Sequence, residues 1–210
     1  MTIKKSLTQP QIAQISRHTK ETQIECQLQL HRDGTVPNSS SIQTGIGFLD
    51  HMLECFARHA QLSLKLTAKG DLHIDQHHTV EDVGITLGQA FADLLFDSQA
   101  PQGIERFGCM ECPLDEALSK VVIDISGRPF LHWGVKFHRP FIGSLDSSLL
   151  KEFFGGFCLH AKWTVHIDSI RGENDHHVAE SIFKAFARAA KQAISISDPL
   201  GLPSTKGMLV

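Results

Sequence analysis

The sequence lacks the features that mark several classes of protein. Its 210 residues contain no apolar run long enough for a signal peptide or a membrane span, so we expect a cytoplasmic protein that does not enter a membrane. Its formal net charge of -3 excludes the basic excess typical of nucleic-acid-binding surfaces. Its five cysteines are odd in number and lack the spacing of a disulfide framework, which favours a reducing compartment.

Two further absences bear on the role of the cysteines and on domain organisation. Cys109 and Cys112 have the spacing of a thiol pair, but no second pair accompanies them, so we predict a structural role. No linker-like stretch interrupts the chain. With 41% apolar and 20% charged residues, the chain is predicted to form one domain, residues 1–210, with a real hydrophobic core.

Histidine, in contrast, is abundant, with thirteen residues. A His-His-x-x-Glu motif occurs twice, as His77-His78-x-x-Glu81 and as His176-His177-x-x-Glu180, and each copy opens an amphipathic pattern. On a helix, residues i and i+4 share a face, while the middle histidine points about 100° away. One helix can therefore hold one metal ion with two residues and face a second ion with the third.

The duplication extends beyond these motifs. When His59-Ala60 is aligned with His160-Ala161, His51 falls on Glu152, and both copies continue with an alternating apolar run and a Gly-acidic pair. We interpret the chain as two copies of one unit, roughly 16–103 and 104–200. The candidate metal ligands are then eight, enough for two sites of four: His51, His77, His78, Glu81, Glu152, His176, His177 and Glu180.

The chemistry of the ligands limits which metal ions fit the sites but does not single out one of them. Imidazole and carboxylate groups without thiolates suit manganese, iron or zinc that keeps open positions for a substrate.

Hydrophobic periodicity predicts the elements of each half. Residues 1 to about 16 are polar and predicted to be loose, and the closing helix is predicted to begin with Asp175 as its N-cap. Gly84 and Gly88, inside the first long helix, predict close packing against a neighbour. The predicted strands are 24–30, 62–66, 120–125, 131–137 and 163–168, and the predicted helices are 48–59, 79–96, 149–160 and the one that begins at 175.

This order predicts an α+β fold of two tandem β-β-α-β-α repeats, whose two sheets pack together through their helical layers.

The motifs together resemble the imidazoleglycerol-phosphate dehydratase family over nearly the whole chain. They are Gly45 through Leu53, Gly70-Asp71, His77 through Asp82, Asp115 through Leu118, Ser126 through Pro129, Asn174 with His176 through Glu180, Phe183 through Ala185, and Pro203 through Gly207. Many family members carry His where this chain has Glu152. The comparison implies either a carboxylate ligand at this position or a weaker fourth contact.

The resemblance implies a hydro-lyase of histidine biosynthesis with a ribosomal protein S5 domain 2-like fold. The implied reaction converts D-erythro-imidazoleglycerol phosphate to imidazole acetol phosphate. Two Mn²⁺ ions per active site would stabilise the imidazolate of the substrate, which expels the hydroxyl to give a diazafulvene. The family also implies a homo-oligomer of 24 subunits built from trimers, with active sites between subunits.

The resemblance also assigns roles to residues outside the metal motifs. Glu21 is the candidate general base, whereas no general acid can be assigned. Arg106, Arg128, Ser204 and Lys206 are expected at the phosphate of the small-molecule substrate. Independently of the resemblance, His59 and His160 are repeated at the helix ends and are interpreted as structural hydrogen-bonding residues. The implied substrate-binding set is Glu21, His51, His77, Arg106, Arg128, His176, Ser204, Thr205 and Lys206.

Two other functions are compatible with the ligand motifs. A dimetal phosphate-ester hydrolase uses similar clusters but commonly relies on more aspartate ligands. A metal-storing or metal-sensing protein explains the ligands but gives no reason for Arg128 and the segment 204–206.

Overall fold

The computed structural model describes residues 11–31, 40–96 and 103–196. The predictions for Ser204, Thr205 and Lys206 therefore lie outside the described residues. The strands are β1 (Gln11–His18), β2 (Thr22–Leu30), β3 (Ser41–Gln43), β4 (Leu62–Gly70), β5 (Phe107–Leu114), β6 (Ala117–Asp124), β7 (Phe130–Gly134), β8 (Phe141–Ile142), β9 (Leu145–Asp146) and β10 (Thr164–Arg171). The helices are α1 (Gly47–Ala60), α2 (His77–Phe96), α3 (Leu149–Ala161) and α4 (Asp175–Ile194).

The two halves of the chain have the same topology. The first sheet has the order β1-β2-β4-β3 and the second the order β5-β6-β10-β7. In each sheet the short third strand pairs in parallel with the strand between the two helices, while the other pairs are antiparallel. The predicted α+β fold of two repeats is thus confirmed, although each repeat is βββαβα and has one strand more than predicted.

Two strands of the first half, β1 and the short β3, were absent from the predicted strands, and β1 lies where we predicted a loose polar segment as far as residue 16. All eight residues of β1 pair with β2 in antiparallel register. The strand lies at the edge of its sheet, and only Ala13 within it is buried. An edge strand with so few buried positions gives no clear apolar alternation, so periodicity missed it.

The four helices lie between the two sheets and share one aromatic core. α2 packs against α3 and α1 packs against α4, so each helix of one half meets a helix of the other. Phe56 of α1 stacks on Phe186 of α4 at a centroid distance of 5.2 Å, and Phe91 of α2 meets Phe157 of α3 at 5.6 Å. This shared core fixes the position of one half of the chain relative to the other.

α2 approaches α3 closely at two of its glycines, Gly84 and Gly88. A Cβ on Gly84 would lie 2.2 Å from the carbonyl oxygen of Phe153, and one on Gly88 would lie 2.5 Å from that of Phe157. The prediction that these glycines mark close helix packing is confirmed.

The beginnings of α1 and α4 are fixed by side chains. Asp50 accepts hydrogen bonds from the backbone N–H and the hydroxyl of Thr44, at 2.8 and 2.6 Å, which tie the preceding turn to α1. α4 is capped by Asn174, whose side chain accepts from the N–H of His176. The predicted N-cap, Asp175, is wrong: it is the first helical residue, and its buried carboxylate accepts from the N–H groups of His138 and Arg139.

Within the three described ranges, no helix combines the length and the apolar composition needed to span a membrane.

Candidate metal-binding active site

The two His-His-x-x-Glu motifs occupy the first turns of α2 and α4. The N–H of His77 donates to Asp75 at 2.8 Å, and the N–H of His176 donates to Asn174 at 3.0 Å. The side chains of Asp75 and Asn174 therefore fix the start of each helix within one turn of the candidate ligands. The four histidines remain exposed or half-buried, so a metal ion and a substrate can reach them.

Three candidate ligands from different halves converge at the N-terminal end of α4. One nitrogen or oxygen atom from each of His51, His176 and Glu180 lies within 4.8 Å of the others. The Nε2 atoms of the two histidines are 3.4 and 3.2 Å from the same oxygen of Glu180. In the part of the chain that the structure describes, this is the one such group of three His, Cys, Asp or Glu residues.

The carboxylate of this group is held in its ionised form. Burial raises the pKa of Glu180, but the hydrogen bond and the charge of Lys184 and the bonds from His176 and His51 outweigh burial, so the net pKa is lowered. Lys184 Nζ lies 2.8 Å from Glu180 Oε1. An ionised, partly buried carboxylate beside two imidazoles is a donor set that suits a divalent metal ion.

The matching positions of the other repeat are less tightly gathered. His77 Nε2 and Glu81 Oε2 are 3.6 Å apart on one face of α2. Glu152 and His51 each lie nine residues before the last residue of their helices, Ala161 and Ala60. Glu152 therefore occupies the predicted counterpart position of His51, on the helix that packs against α2, but among the described residues it does not complete a three-ligand group.

His78 points away from His77 and toward a different carboxylate. Its Nδ1 atom is 3.0 Å from Oδ2 of Asp71, which directly follows β4. Its Nε2 atom is 3.9 Å from Oε1 of Glu21, in the turn between β1 and β2. The hydrogen bond that His78 donates to Asp71 is the main reason why the pKa of His78 is raised.

His177 has an equivalent arrangement in the second half. Its Nδ1 atom is 2.7 Å from Oε2 of Glu116, and its Nε2 atom is 3.9 Å from Oδ2 of Asp115. The other oxygen of Glu116 accepts the N–H groups of Glu173 and Asn174, at 3.2 and 2.8 Å. The bond to His177, followed by the bond to Asn174, lowers the pKa of Glu116 to about 2, and the bond to Glu116 raises the pKa of His177.

The turn that carries Glu21 is fastened to α2. The side chain of Asp82 is 10% exposed. It forms an ion pair with the guanidinium of Arg17 at 2.8 Å and accepts a hydrogen bond from the hydroxyl of Thr22 at 2.5 Å. Thr19 accepts the N–H of Glu21 at 3.1 Å. These contacts fix the β1–β2 turn relative to the helix that carries His77, His78 and Glu81.

The two candidate phosphate ligands within the described ranges differ in their surroundings. Arg106 donates to both oxygens of Asp124, at 2.7 and 3.2 Å, so its guanidinium already binds a carboxylate. Arg128 is exposed, and its backbone is held by the Ser126 and Thr164 hydroxyls next to Gly127, which has a φ of +81°. A phosphate role stays a prediction for both.

His160 has the structural role that we predicted, because its Nδ1 contacts the carbonyl of Gly156 in its own helix at 2.9 Å. His59 is partly buried, and this burial, followed by the charge of Lys184, lowers its pKa.

Sequence reasoning assigned no role to Asp71, Asp115, Glu116 or Lys184, although all four lie within the quoted motifs. The contacts of Asp71, Asp115 and Glu116 with ligand side chains depend on which strand ends meet which helix, and spacing along the chain does not reveal this. The i, i+4 spacing of Glu180 and Lys184 could have indicated their ion pair.

Comparison with known proteins identifies close relatives. A family model described as Imidazoleglycerol-phosphate dehydratase matches residues 44–190. The chain is 55% identical over 203 residues to the imidazoleglycerol-phosphate dehydratase of Polaromonas sp. (strain JS666 / ATCC BAA-500), with 95% of each chain covered. It is 55% identical over 199 residues to that of Thiobacillus denitrificans (strain ATCC 25259 / T1), covering 94% of this chain and 98% of the relative.

Solved structures of imidazoleglycerol-phosphate dehydratases have the same fold as this chain. The crystal structure of imidazoleglycerol-phosphate dehydratase from Staphylococcus aureus subsp. aureus N315 matches with a TM-score of 0.76 and 38% identity, covering 89% of this chain and all of that one. The enzyme from Pyrococcus furiosus, in complex with (S)-C348, matches with a TM-score of 0.78 and 35% identity, covering 93% of this chain and all of that one.

Proposed function

Since the chain belongs to the imidazoleglycerol-phosphate dehydratase family and is a hydro-lyase of histidine biosynthesis, we propose that it acts with two Mn²⁺ ions bound by the eight ligands of the repeated motifs. The observation that carries this proposal is the convergence of His51, His176 and Glu180 from two halves of the chain. Three neutral or anionic N/O donors within 4.8 Å of one another fit a divalent ion that keeps open positions.

The ligands divide between the ions according to the helix face they occupy. His51, His176 and Glu180 form one set, and Glu152, His77 and Glu81 form its repeat counterpart. His78 and His177 project from the same helices toward Asp71 and Glu116 instead. We assign them to the ions of neighbouring subunits, so the proposal includes active sites between subunits in an assembly of 24 subunits built from trimers.

The reaction removes a hydroxyl and a proton from adjacent carbons of imidazoleglycerol phosphate. Two bound Mn²⁺ ions would supply Lewis acidity to the two ring nitrogens of the substrate and favour its ionised form. The ionised ring expels the neighbouring hydroxyl to give a diazafulvene, which acidifies the carbinol C–H. Loss of that proton gives an enol, which becomes the ketone of imidazole acetol phosphate, and the sum of the steps is loss of one water.

Glu21 is the residue that takes the carbinol proton. It lies in a turn fastened to α2, is 54% exposed, and has a carboxylate oxygen 3.9 Å from Nε2 of the candidate ligand His78. A base must be close to the metal-bound substrate yet not itself be consumed as a ligand. Glu21→Gln should lower kcat by at least about 100-fold with little change in Mn²⁺ affinity. Glu25→Gln, in the same hairpin, is the control and should leave kcat unchanged.

Cationic side chains supplied by a neighbouring subunit bind the substrate phosphate, because within one chain Arg106 and Arg128 lie at the far ends of α4 and β10 from His176. We assign this role to Arg128 and Arg106, with Ser204, Thr205 and Lys206 of the C-terminal segment. Arg128→Ala should raise KM for imidazoleglycerol phosphate, while Arg58→Ala, which removes an exposed arginine of α1, should not. An unchanged KM in Arg128→Ala would contradict this assignment.

The deciding experiment compares Mn²⁺-loaded and chelator-stripped protein on imidazoleglycerol phosphate, with the ketone product and free phosphate followed together. Ketone that forms only with Mn²⁺ supports the proposal. Equal turnover after metal removal, or release of phosphate, would overturn it. The particle mass of the same two samples tests the assembly, and an identical mass with and without chelator would count against metal-linked assembly.

The five cysteines are all free thiols, and this fits the cytoplasmic location that we propose for the enzyme.

A further inference from the structure

Two carboxylates contact the same ring atom of the two middle histidines of the motifs. Asp71 Oδ2 lies 3.0 Å from Nδ1 of His78, and Glu116 Oε2 lies 2.7 Å from Nδ1 of His177. An ionised carboxylate can only accept a hydrogen bond, so each Nδ1 must carry the hydrogen. In the neutral ring, the lone pair is then on Nε2.

We infer that Asp71 and Glu116 are positioning residues that select Nε2 of His78 and of His177 as the metal-binding nitrogen. This inference rests on the proposed metal sites. A histidine ligand is commonly oriented by a carboxylate or carbonyl on its other nitrogen, and loss of that partner weakens metal binding. Both carboxylates act through a histidine, with no direct contact to the reaction required.

The two carboxylates come from different places in the repeat. Asp71 follows β4, whose counterpart in the second half ends before Gly172 and Glu173. Glu116 lies in the β5–β6 turn, whose counterpart in the first half is the β1–β2 turn with Glu21. The same contact on Nδ1 is therefore reached from two unrelated positions. Inheritance of one contact by both repeats does not explain this recurrence, whereas a shared requirement for Nε2 ligation does.

Glu116 also links its histidine to the backbone. Its Oε1 atom accepts the N–H groups of Glu173 and Asn174, and its Oε2 atom faces the ring of His177. The ring is thus fixed relative to the residues that begin α4. Asp71 differs, because its second oxygen, Oδ1, is buried and has no hydrogen-bond partner among the described residues.

This difference makes Glu116→Gln a sharp test. The single amide oxygen of glutamine can keep the bonds from Glu173 and Asn174, which turns the NH₂ group toward Nδ1 of His177. Nδ1 must then accept, and the hydrogen moves to Nε2, the atom that should bind the metal. Glu116→Gln should weaken Mn²⁺ binding by about 10–100-fold, measured by chelator competition, while the melting temperature of the metal-free protein stays the same.

Asp71→Asn removes the same charge but leaves the tautomer free. No backbone N–H competes for its amide oxygen, so that oxygen can remain on the Nδ1 hydrogen of His78. We expect a clearly smaller loss of Mn²⁺ affinity than in Glu116→Gln. Equal losses in the two variants would mean that charge, rather than the tautomer, is responsible, and would overturn the inference.

Matched controls exist for both changes. His18 with Glu25, and His132 with Asp168, are carboxylate–histidine pairs outside the site, at 2.8 and 3.3 Å. Glu25→Gln and Asp168→Asn should leave Mn²⁺ affinity unchanged. In metal-free protein with ¹⁵N-labelled histidine, long-range imidazole correlation spectra should show the hydrogen of His177 on Nδ1 in the parent chain and on Nε2 in Glu116→Gln.

A double-mutant cycle separates positioning from folding. If Glu116 acts through His177, Glu116→Gln should cost no further Mn²⁺ affinity once His177→Ala is present. Additive losses would overturn the inference even if one variant were unstable. The proposed function fails differently: the parent chain itself would bind no Mn²⁺ or turn over equally without it, whereas failure of the present inference leaves the parent chain metal-dependent.

Discussion

The contact between α2 and α3 predicts the effect of adding one methyl group to Gly84. The Cβ of Gly84→Ala would lie 2.2 Å from the carbonyl oxygen of Phe153 and 3.0 Å from its carbonyl carbon. Both atoms belong to a helix backbone, so no side-chain rotation can relieve the overlap, and the helices must separate by about 1 Å in a close-packed interface. Overpacking of this kind costs about 3 kcal/mol at the upper end of its usual range.

Alanine also gains about 1 kcal/mol over glycine within a helix, which leaves a net loss of about 2 kcal/mol in the free energy of unfolding. For a chain of this size, that loss corresponds to a melting temperature about 4–8 °C lower. Differential scanning calorimetry at fixed protein concentration, with chelator present, measures it without a contribution from bound metal.

Gly155→Ala is the matched control, since Gly155 lies in α3 and an added Cβ there meets no atom of the described residues within 4 Å. It gains the helix propensity without the overlap, and its melting temperature should rise by about 2–4 °C. If Gly84→Ala melts at or above the parent temperature, the close approach of the two helices is not what requires glycine at residue 84.

Three more predictions concern other parts of the fold. Asn174→Ala removes the N-cap of α4 and should lower the free energy of unfolding by about 1 kcal/mol in urea titrations. Asp82→Asn leaves Arg17 without its carboxylate and should cost about 2 kcal/mol in the same assay. Cys109 is exposed, whereas burial raises the pKa of Cys158 to about 12, so brief iodoacetamide treatment at pH 8 should alkylate Cys109 alone of this pair, as read by peptide mass spectrometry.

Each of these predictions has a defined contrary result. Asn174→Asp keeps an acceptor and should be near the parent, so equal losses in Asn174→Asp and Asn174→Ala would show that capping is not responsible. For Asp82→Asn, the stability loss should shrink when Arg17 is also changed to Met, and full additivity would contradict the ion pair. Alkylation of Cys158 as fast as Cys109 would contradict its burial.

The sequence predicted the repeat because both copies carry the same apolar alternation and the same ligand spacing. Burial of one helix face and one sheet face imposes those periods, and a duplicated motif makes them visible twice. The edge strand β1 was not predicted because an edge strand needs few buried residues, and only Ala13 is buried there. The N-cap was placed one residue late because Asn174 and Asp175 are both good capping residues, and the contacts of Asp175 with the N–H groups of 138 and 139 come from a distant loop.

The site was predictable only in part for a similar reason. The i, i+4 spacing placed His77 with Glu81 and His176 with Glu180, since this relation is local to a helix. The approach of His51 to α4 was not predicted, because the repeat grouped His51 with the motif of its own half. The contacts of Asp71 and Glu116 with the remaining histidines could not be inferred at all. They depend on the register of strand ends against helix starts, which the sequence does not encode in a local pattern.

The aromatic contacts between helices of opposite halves have an evolutionary consequence. Phe56 and Phe186, or Phe91 and Phe157, belong to different repeats, so a half-length chain alone would leave these rings against solvent. An ancestor of half this length would have needed to fold as a symmetric pair, with two identical ligand sets related by a twofold axis. Fusion of the two copies into one polypeptide released that constraint. After fusion, the two equivalent positions could carry different residues, here His51 and Glu152. The identical subunits of a homodimer cannot differ in this way, because one gene encodes both.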